Sequence, residues 1–357
     1  MEDREIAYRK VRKKGRAGRI AAMVFCIFAE TLLLLFAMAY GVLFVIAKGP
    51  SPTVSAQFVK TVKETSAAGF LANWFYSPEE IQAIRNPAAP QAVEDMDVSL
   101  IEIAPPTAPP QGEGPQADAW GLVDEDGDGI ILESVKGEGF QGYMMVVLDP
   151  SRVVMATIPK SFGARGYTVE QMVKEFDGVA GINAGGFYDP NGTGNGSIPD
   201  TMVVSGGQVY YGEYGSAQGF AGFDADHILH VGKFSPGDIA ARNIQSGVGF
   251  GPVLIVNGVP QSKEALTSGV NPRTGIGQRS DGAVLLLVIE GRQVDSMGAT
   301  YYDMAEVFLS YGAVNACNMD GGSSSTLWFE DRYVNHSASI IGTRPVPTAF
   351  VVLKKEG

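Results

Sequence analysis

The chain has 357 residues, 45% of them apolar and 18% charged, which is enough to bury one large core and to leave appendages. A formal net charge of −12 excludes a nucleic-acid backbone as its partner, because binding that polyanion requires clustered Lys and Arg. Cys26 lies in an apolar N-terminal run and Cys317 in a distant strand-like run, so a disulfide framework is excluded as well.

The first 19 residues carry Lys or Arg at positions 4, 9, 10, 12, 13, 14, 16 and 19 and read as a basic cytoplasmic tail. Residues 20–47 follow as a transmembrane anchor, and the positive-inside rule sets everything after Lys48 on the extracellular side of the cell membrane. A cleaved signal peptide is the competing reading, but its apolar core would be shorter and would end in a small-residue cleavage site. A carboxylate at the bilayer centre costs roughly 2.5–3.5 kcal/mol, which puts Glu30 at the cytoplasmic edge or in contact with a partner helix.

Residues 48–118 read as a membrane-proximal stalk and linker. Phe58, Val62, Phe70, Leu71, Trp74 and Phe75 recur near a helical period, and Ser77-Pro78-Glu79-Glu80 opens a further helical turn. Seven prolines between Asn86 and Ala119 mark a Pro-rich spacer. Residues 119–357 form the main domain. Its opening Asp124, Asp126, Asp128 and Gly129 resemble a calcium loop, but Val135 stands where the bidentate Glu belongs, so an acidic turn is expected, with calcium a weak alternative. No other cofactor or metal is expected.

Apolar runs at Tyr143–Leu148, Val153–Ile158, Gly251–Val256 and Ala283–Ile289 predict buried strands, and Asn257-Gly258 predicts a hairpin. Two helices are expected, Thr168–Asp177 with a Thr168/Gln171 capping box, and Tyr302–Tyr311. His227 and His230 fall in an alternating, strand-like stretch that argues against a helical metal pair. These elements predict an α+β fold of mixed sheets with flanking helices, preceded by the transmembrane helix and the Pro-rich stalk.

After each helix the chain repeats one pattern, a short buried strand, a polar residue and a diglycine: Asn183-Ala184-Gly185-Gly186 and Asp320-Gly321-Gly322. Parallel pairing of strand 283–289 with strand 313–319 would bring Glu290 and Asp320 to one sheet edge, where ligands bind in α/β sheets. Asp320 and Glu290 are therefore the candidate acid and base. Arg273 and Arg344, each next to a proline, suit a phosphate or carboxylate, and the glycines expose backbone N–H groups that suit an anion.

Four ordered motifs now stand out. They are Ile182-Asn183-Ala184-Gly185-Gly186-Phe187-Tyr188, Asn271-Pro272-Arg273-Thr274-Gly275-Ile276-Gly277, Glu290-Gly291-Arg292-Gln293, and Met319-Asp320-Gly321-Gly322-Ser323-Ser324-Ser325-Thr326. Together they resemble the phosphodiester glycosidases related to the mannose-6-phosphate uncovering enzyme, a family that includes bacterial proteins of exopolysaccharide-biosynthesis type. The resemblance spans roughly residues 140–353 and implies hydrolysis of a sugar-1-phosphodiester at its glycosidic side. It carries Asn183, Gly185, Gly186, Arg273, Asp320, Gly321, Gly322 and Ser324 over as site residues, with Glu290 and Arg344 beside them. Three positions depart from the family pattern: Ser323 replaces a third glycine, Gly275 an alanine, and Glu290 an aspartate. The substrate is then a sugar phosphodiester, in one version part of a cell-surface glycopolymer. The alternative on the same fold is a glycopolymer-binding module without turnover.

Overall fold

The computed structural model describes residues 2–65, 68–85, 96–103, 116–189, 194–212, 218–339 and 342–355. Helix α1 (Glu2–Lys48) is followed by α2 (Pro52–Lys63), a 3₁₀ segment (Gly69–Trp74) and α3 (Pro78–Arg85). Within α1, Gly18–Lys48 is long and apolar enough to cross a membrane, and an 18-residue stretch of it reaches a mean hydropathy of 2.5.

The main domain begins with β1 (Ile130–Gly137), β2 (Phe140–Val147), β3 (Val153–Thr157), α4 (Val169–Glu175) and β4 (Gly178–Asn183). It continues through β5 (Val203–Ser205), β6 (Gln208–Tyr211), β7 (Gln218–Asp224), β8 (Leu229–Phe234), α5 (Pro236–Ala241) and β9 (Ile244–Gly249). Next come β10 (Val253–Val256), β11 (Val259–Pro260), β12 (Arg273–Arg279), β13 (Val284–Ile289), α6 (Tyr301–Ser310) and β14 (Ala313–Met319). The domain closes with β15 (Leu327–Phe329), β16 (Arg332–Tyr333) and β17 (Thr348–Leu353).

The strands build a seven-stranded sheet, β1-β2-β13-β12-β14-β10-β11, and two five-stranded sheets, β16-β15-β4-β17-β3 and β6-β5-β9-β7-β8. This is the mixed-sheet α+β architecture that the apolar runs predict. Strand β13 reads Val-Leu-Leu-Leu-Val-Ile because it is buried on both faces. Leu286 and Val288 face a core shared by all three sheets, while Leu285 and Leu287 face α6 through Met304, Ala305 and Phe308. Gly275 and Gly277 of β12 also lie under α6, and a Cβ on Gly275 would come within 2.8 Å of Met304. The glycine that departs from the family pattern thus lets this helix settle onto the sheet.

Local signals in the sequence correspond to observed geometry. Thr168 caps α4 through a reciprocal capping box with Gln171, and Asn257 and Gly258 take φ of 53° and 76° in the β10–β11 hairpin. Helix α6 has a capping box too, Thr300 with Asp303, and starts at Tyr301, one residue before the expected Tyr302. Cys317 is buried in β14, and Cys26 and Cys317 are both free. His227 sits in the β7–β8 turn with φ 63°, and His230, on β8, bonds Asp224 at 2.7 Å.

The strand pairing corrects one expectation. Strands β13 and β14 run in the same direction but do not pair, because β12 lies between them, antiparallel to both. Short, strongly apolar strands satisfy parallel and antiparallel ladders equally well, so composition alone does not choose between them.

The seven prolines of the expected spacer lie outside the described residues, but the segments around them are tied to the domain. Ile101 is buried, the Glu102 N–H donates to Ser280 O at 2.8 Å, and the Asp97 N–H donates to Asn257 Oδ1 at 2.8 Å. Residues 52–65 and 68–85 pack around Val59, Val62, Ala72 and Ile81 as a small helical unit. Asp118 and Asp281 hold the buried Arg279 at 2.7 and 2.5 Å, and Trp120 stacks on its guanidinium.

At the start of the domain, the oxygens of Asp124, Asp126 and Asp128 lie within 4.8 Å of one another. The N–H groups of Gly127 and Gly129 both donate to Asp124, as in an acidic turn. Val135 is buried on β1, so the residue in the twelfth position of the loop faces the core.

Candidate active site

Placing β12 between β13 and β14 gathers the motif residues along one edge. Arg273 is opposite Ile289 in the ladder and Thr274 is opposite Met319, so Glu290, Arg273 and Asp320 leave neighbouring strands at the same end. Strand β4 of the second sheet arrives at this edge from the other side. The Asp320 N–H donates to Ala184 O at 2.9 Å, which joins the two diglycine loops back to back.

Asn183, fully buried at the end of β4, spends its whole amide on this junction. Its Nδ2 donates to Asp320 O at 2.6 Å, and its Oδ1 accepts from Thr274 Oγ1 at 2.9 Å and from the Thr326 N–H at 3.0 Å. The glycine N–H groups are likewise committed within the protein. Gly185 N donates to Thr348 Oγ1 at 2.9 Å, Gly322 N donates to Pro272 O at 2.8 Å, and the Gly321 N–H bonds the Asp320 carboxylate. These backbone donors shape the loops rather than standing free as an anion nest. Gly322 adopts φ 64°, and a Cβ there would come within 3.2 Å of Arg292.

Asp320 is partly enclosed, and loss of hydration pushes its carboxyl up to about 6. The Ser324 hydroxyl bonds it and pulls the other way, the charge of Asp200 raises it further, and Arg344 lowers it. Asp200 is a site residue that motif reading misses, because Ile198-Pro199-Asp200-Thr201 carries no glycine signature. Its own carboxyl is also raised, by desolvation from the surrounding walls. That carboxylate fills the space beside Gly186, where a Cβ would come within 2.7 Å of Asp200 Oδ2.

Glu290, the other expected carboxylate, is only 2% exposed and accepts from the His336 N–H at 2.7 Å and from Gln141 Nε2 at 3.3 Å. The group whose charge raises Asp320 is therefore Asp200, and Glu290 braces the His336 loop against β2.

The arginines divide in a way the sequence does not reveal. Arg273 is 4% exposed: its Nε donates to Ala299 O at 2.9 Å, its Nη2 bonds Gly269 O and Glu64 Oε2, and its guanidinium stacks on Tyr301. Glu64, just past the end of α2, also accepts from Gly269 N at 2.7 Å and from Asn271 Nδ2 at 3.1 Å. Arg344 pairs with Asp189 at 3.2 Å and lines a cavity of about 440 Å³ together with Arg165, Gly194 and Asn195.

Arg292 differs from both. It is exposed, takes φ 60°, and bonds only neutral oxygens, Thr65 Oγ1 at 2.9 Å, Asn271 Oδ1 at 3.0 Å and Ser323 Oγ at 3.5 Å. Among the described residues no carboxylate forms an ion pair with it. Desolvation holds it below the usual arginine range, and the charges of Arg273 and Arg344 add to that, with only Glu64 opposing. An arginine facing two others without its own counterion is a ready anion contact.

Two carboxyls raised by desolvation, Asp320 and Asp200, thus lie at the junction of two sheets on an α+β scaffold, with Arg292 against the adjoining Gly322-Ser323 loop. Residues 176–353 match the phosphodiester glycosidase family model, and the chain carries a domain of that family. It is 32% identical over 196 residues to the SPbeta prophage-derived uncharacterized protein YomE of Bacillus subtilis (strain 168), a match covering 52% of this chain and 29% of that protein. A 57-residue stretch is 39% identical to N-acetylglucosamine-1-phosphodiester alpha-N-acetylglucosaminidase of Bos taurus, covering 16% of this chain and 11% of the bovine protein. The chain thus spans less than a third of the length of either relative. The fold is shared with the catalytic domain of the zebrafish N-acetylglucosamine-1-phosphodiester alpha-N-acetylglucosaminidase, at a TM-score of 0.53 and 19% identity over 63% of this chain and 82% of that one.

Proposed function

We propose that this protein is a membrane-anchored, extracytoplasmic hydrolase that cleaves the glycosidic bond of a sugar-1-phosphodiester in surface polysaccharide or glycoconjugate metabolism. The observation that carries the reading is Asp320, raised to about 6 beside Asp200 and close to Arg344. Water attacks the anomeric carbon, the bond from that carbon to the bridging oxygen breaks, and its electrons pass to the phosphate. The products are the free sugar and a phosphomonoester.

A phosphomonoester has a second pKa of about 6, so it leaves with little need of a proton but with growing negative charge. That charge is met by Arg292 and Arg344, which is electrostatic stabilisation of the leaving group. Ionised Asp320 takes the proton of the attacking water or faces the positive charge that develops on the sugar ring, with Asp200 as the second carboxyl. Asn183, Gly185, Gly186, Arg273, Gly321, Gly322 and Ser324 position these groups. The basic residues between positions 4 and 19, ahead of the apolar run 20–47, support the anchor and, by the positive-inside rule, a cytoplasmic N-terminus.

The test is release of sugar from a panel of synthetic sugar-1-phosphodiesters by the full chain in detergent. Turnover by the wild type that Asp320→Asn and Arg292→Gln both abolish, with folding intact, supports the reading. Binding without turnover across the panel refutes it in favour of a glycopolymer-binding module.

A further inference from the structure

Arg292 lies where the domain meets the element closest to the candidate membrane span. Its Nη2 donates to Thr65 Oγ1 at 2.9 Å, and Thr65 O in turn accepts the Gly69 N–H at 2.9 Å. Gly69 opens the 3₁₀ segment that carries Phe70 and Trp74, which are 53% and 47% exposed. Thr65 and Gly69 therefore link the Arg292 guanidinium to an exposed aromatic ridge.

That ridge is continuous with α1. Trp74 and Phe75 pack on Tyr40 at 6.4 and 5.7 Å between ring centroids, and Phe75 packs on Phe44 at 6.3 Å. Tyr40 precedes Lys48 by eight residues, about 12 Å of helix, so the ridge is level with the last turns of the apolar run. The Tyr76 hydroxyl donates to Ala47 O, and Lys48 Nζ sits 3.8 Å over the Tyr76 ring. Aromatic rings with one polar edge collect at the headgroup layer of a bilayer, and Tyr40, Trp74 and Tyr76 supply such rings near the end of a span-length helix.

The domain is fastened at this height. Lys60 Nζ donates to Thr267 Oγ1 at 2.7 Å, Gln57 Nε2 donates to Ser268 O at 3.3 Å, and Glu64 holds Gly269, Asn271 and Arg273. Together these contacts make α2 a wall of the site rather than a free tether.

We propose that Arg292 is held at the bilayer surface and there takes the phosphate of a sugar-1-phosphodiester whose alcohol is a lipid chain. This rests on the glycosidase reading and deepens it. The phosphate meets Arg292 at headgroup depth, the chain stays in the bilayer beside Phe70 and Trp74, and the sugar points up toward Asp320 and Asp200. A diester whose phosphate stands far above the bilayer fits this arrangement poorly.

The experiment uses the full chain in phosphatidylcholine nanodiscs and three N-acetylglucosamine 1-phosphodiesters, with methyl, dodecyl, or dodecyl carried on a long polyethylene-glycol spacer. The two dodecyl probes share a membrane anchor and differ only in the height of the phosphate. The expected result is about tenfold faster hydrolysis of the direct dodecyl diester than of the spaced one, reflecting the difference in effective concentration at the site. A spaced diester hydrolysed equally fast or faster overturns the surface placement and leaves the glycosidase intact. If none of the three is hydrolysed, the glycosidase reading fails for this sugar, and binding of dodecyl phosphate against its spaced analogue decides the placement by the same ordering. Weaker binding of the direct analogue in Arg292→Gln is expected, and unchanged binding there counts against Arg292 as the phosphate contact.

Discussion

Replacing Asp320 by Asn removes a carboxyl that the fold holds at an energetic cost. Its rise from the ordinary 3.8 to about 6 means that the folded protein binds this proton more tightly than the unfolded chain does. The cost of ionisation is absent below the unfolded value and complete above the folded one, so the wild type loses stability as pH rises from about 4 to beyond 6. The rise corresponds to at most about 3 kcal/mol, of which about 1.4 kcal/mol accrues between roughly pH 5 and pH 7.5. The Asn side chain keeps an acceptor for Ser324 and never ionises. Asp320→Asn therefore gains on the wild type by about 1 kcal/mol between those pH values, while hydrolysis falls by about 10²–10⁴-fold. Urea unfolding of both proteins in the same detergent at each pH measures the first effect, and sugar release measures the second. A stability difference that stays flat with pH, or that grows as pH falls, would refute the assignment of a desolvated, ionisable Asp320.

The neighbouring groups give further expectations. Asp200→Asn removes a like charge that raises Asp320, so the acid limb of the pH–rate profile moves to lower pH; an unmoved limb uncouples the pair. Arg292→Gln lowers kcat/KM by about 10²–10³-fold through loss of leaving-group stabilisation, with a thermal midpoint close to that of the wild type. Glu290→Gln turns a buried acceptor of the His336 N–H into a mixed amide and costs about 1–3 kcal/mol of stability, seen in denaturant unfolding. Its KM stays near the wild-type value, because Asp200 rather than Glu290 is the partner of Asp320. Asn183→Ala strands three partners at the loop junction and lowers both stability and turnover.

Much of this protein was legible in the linear sequence, because the interactions involved are local or periodic. The span-length apolar run, the double-sided burial of Val284–Ile289, the Thr168 capping box and the Asn257-Gly258 turn all follow from side-chain pattern and backbone stereochemistry within a few residues. The motif order also brought Asn183, Arg273, Glu290 and Asp320 to notice as one group.

What the groups do to one another was decided only by the tertiary structure, because charge and desolvation depend on neighbours far away in the chain. Inserting β12 between β13 and β14 put Arg273 between the two expected carboxylates. Burial turned Arg273 inward onto Glu64, 209 residues earlier in the chain, and left Arg292 bonded to neutral oxygens, with no carboxylate ion pair among the described residues. Asp200 entered the site through a loop with no signature of its own, and Glu290 was drawn away to His336. Hydrophobic periodicity records which face of an element is buried, but it carries no information about which polar side chains share the space where two sheets meet.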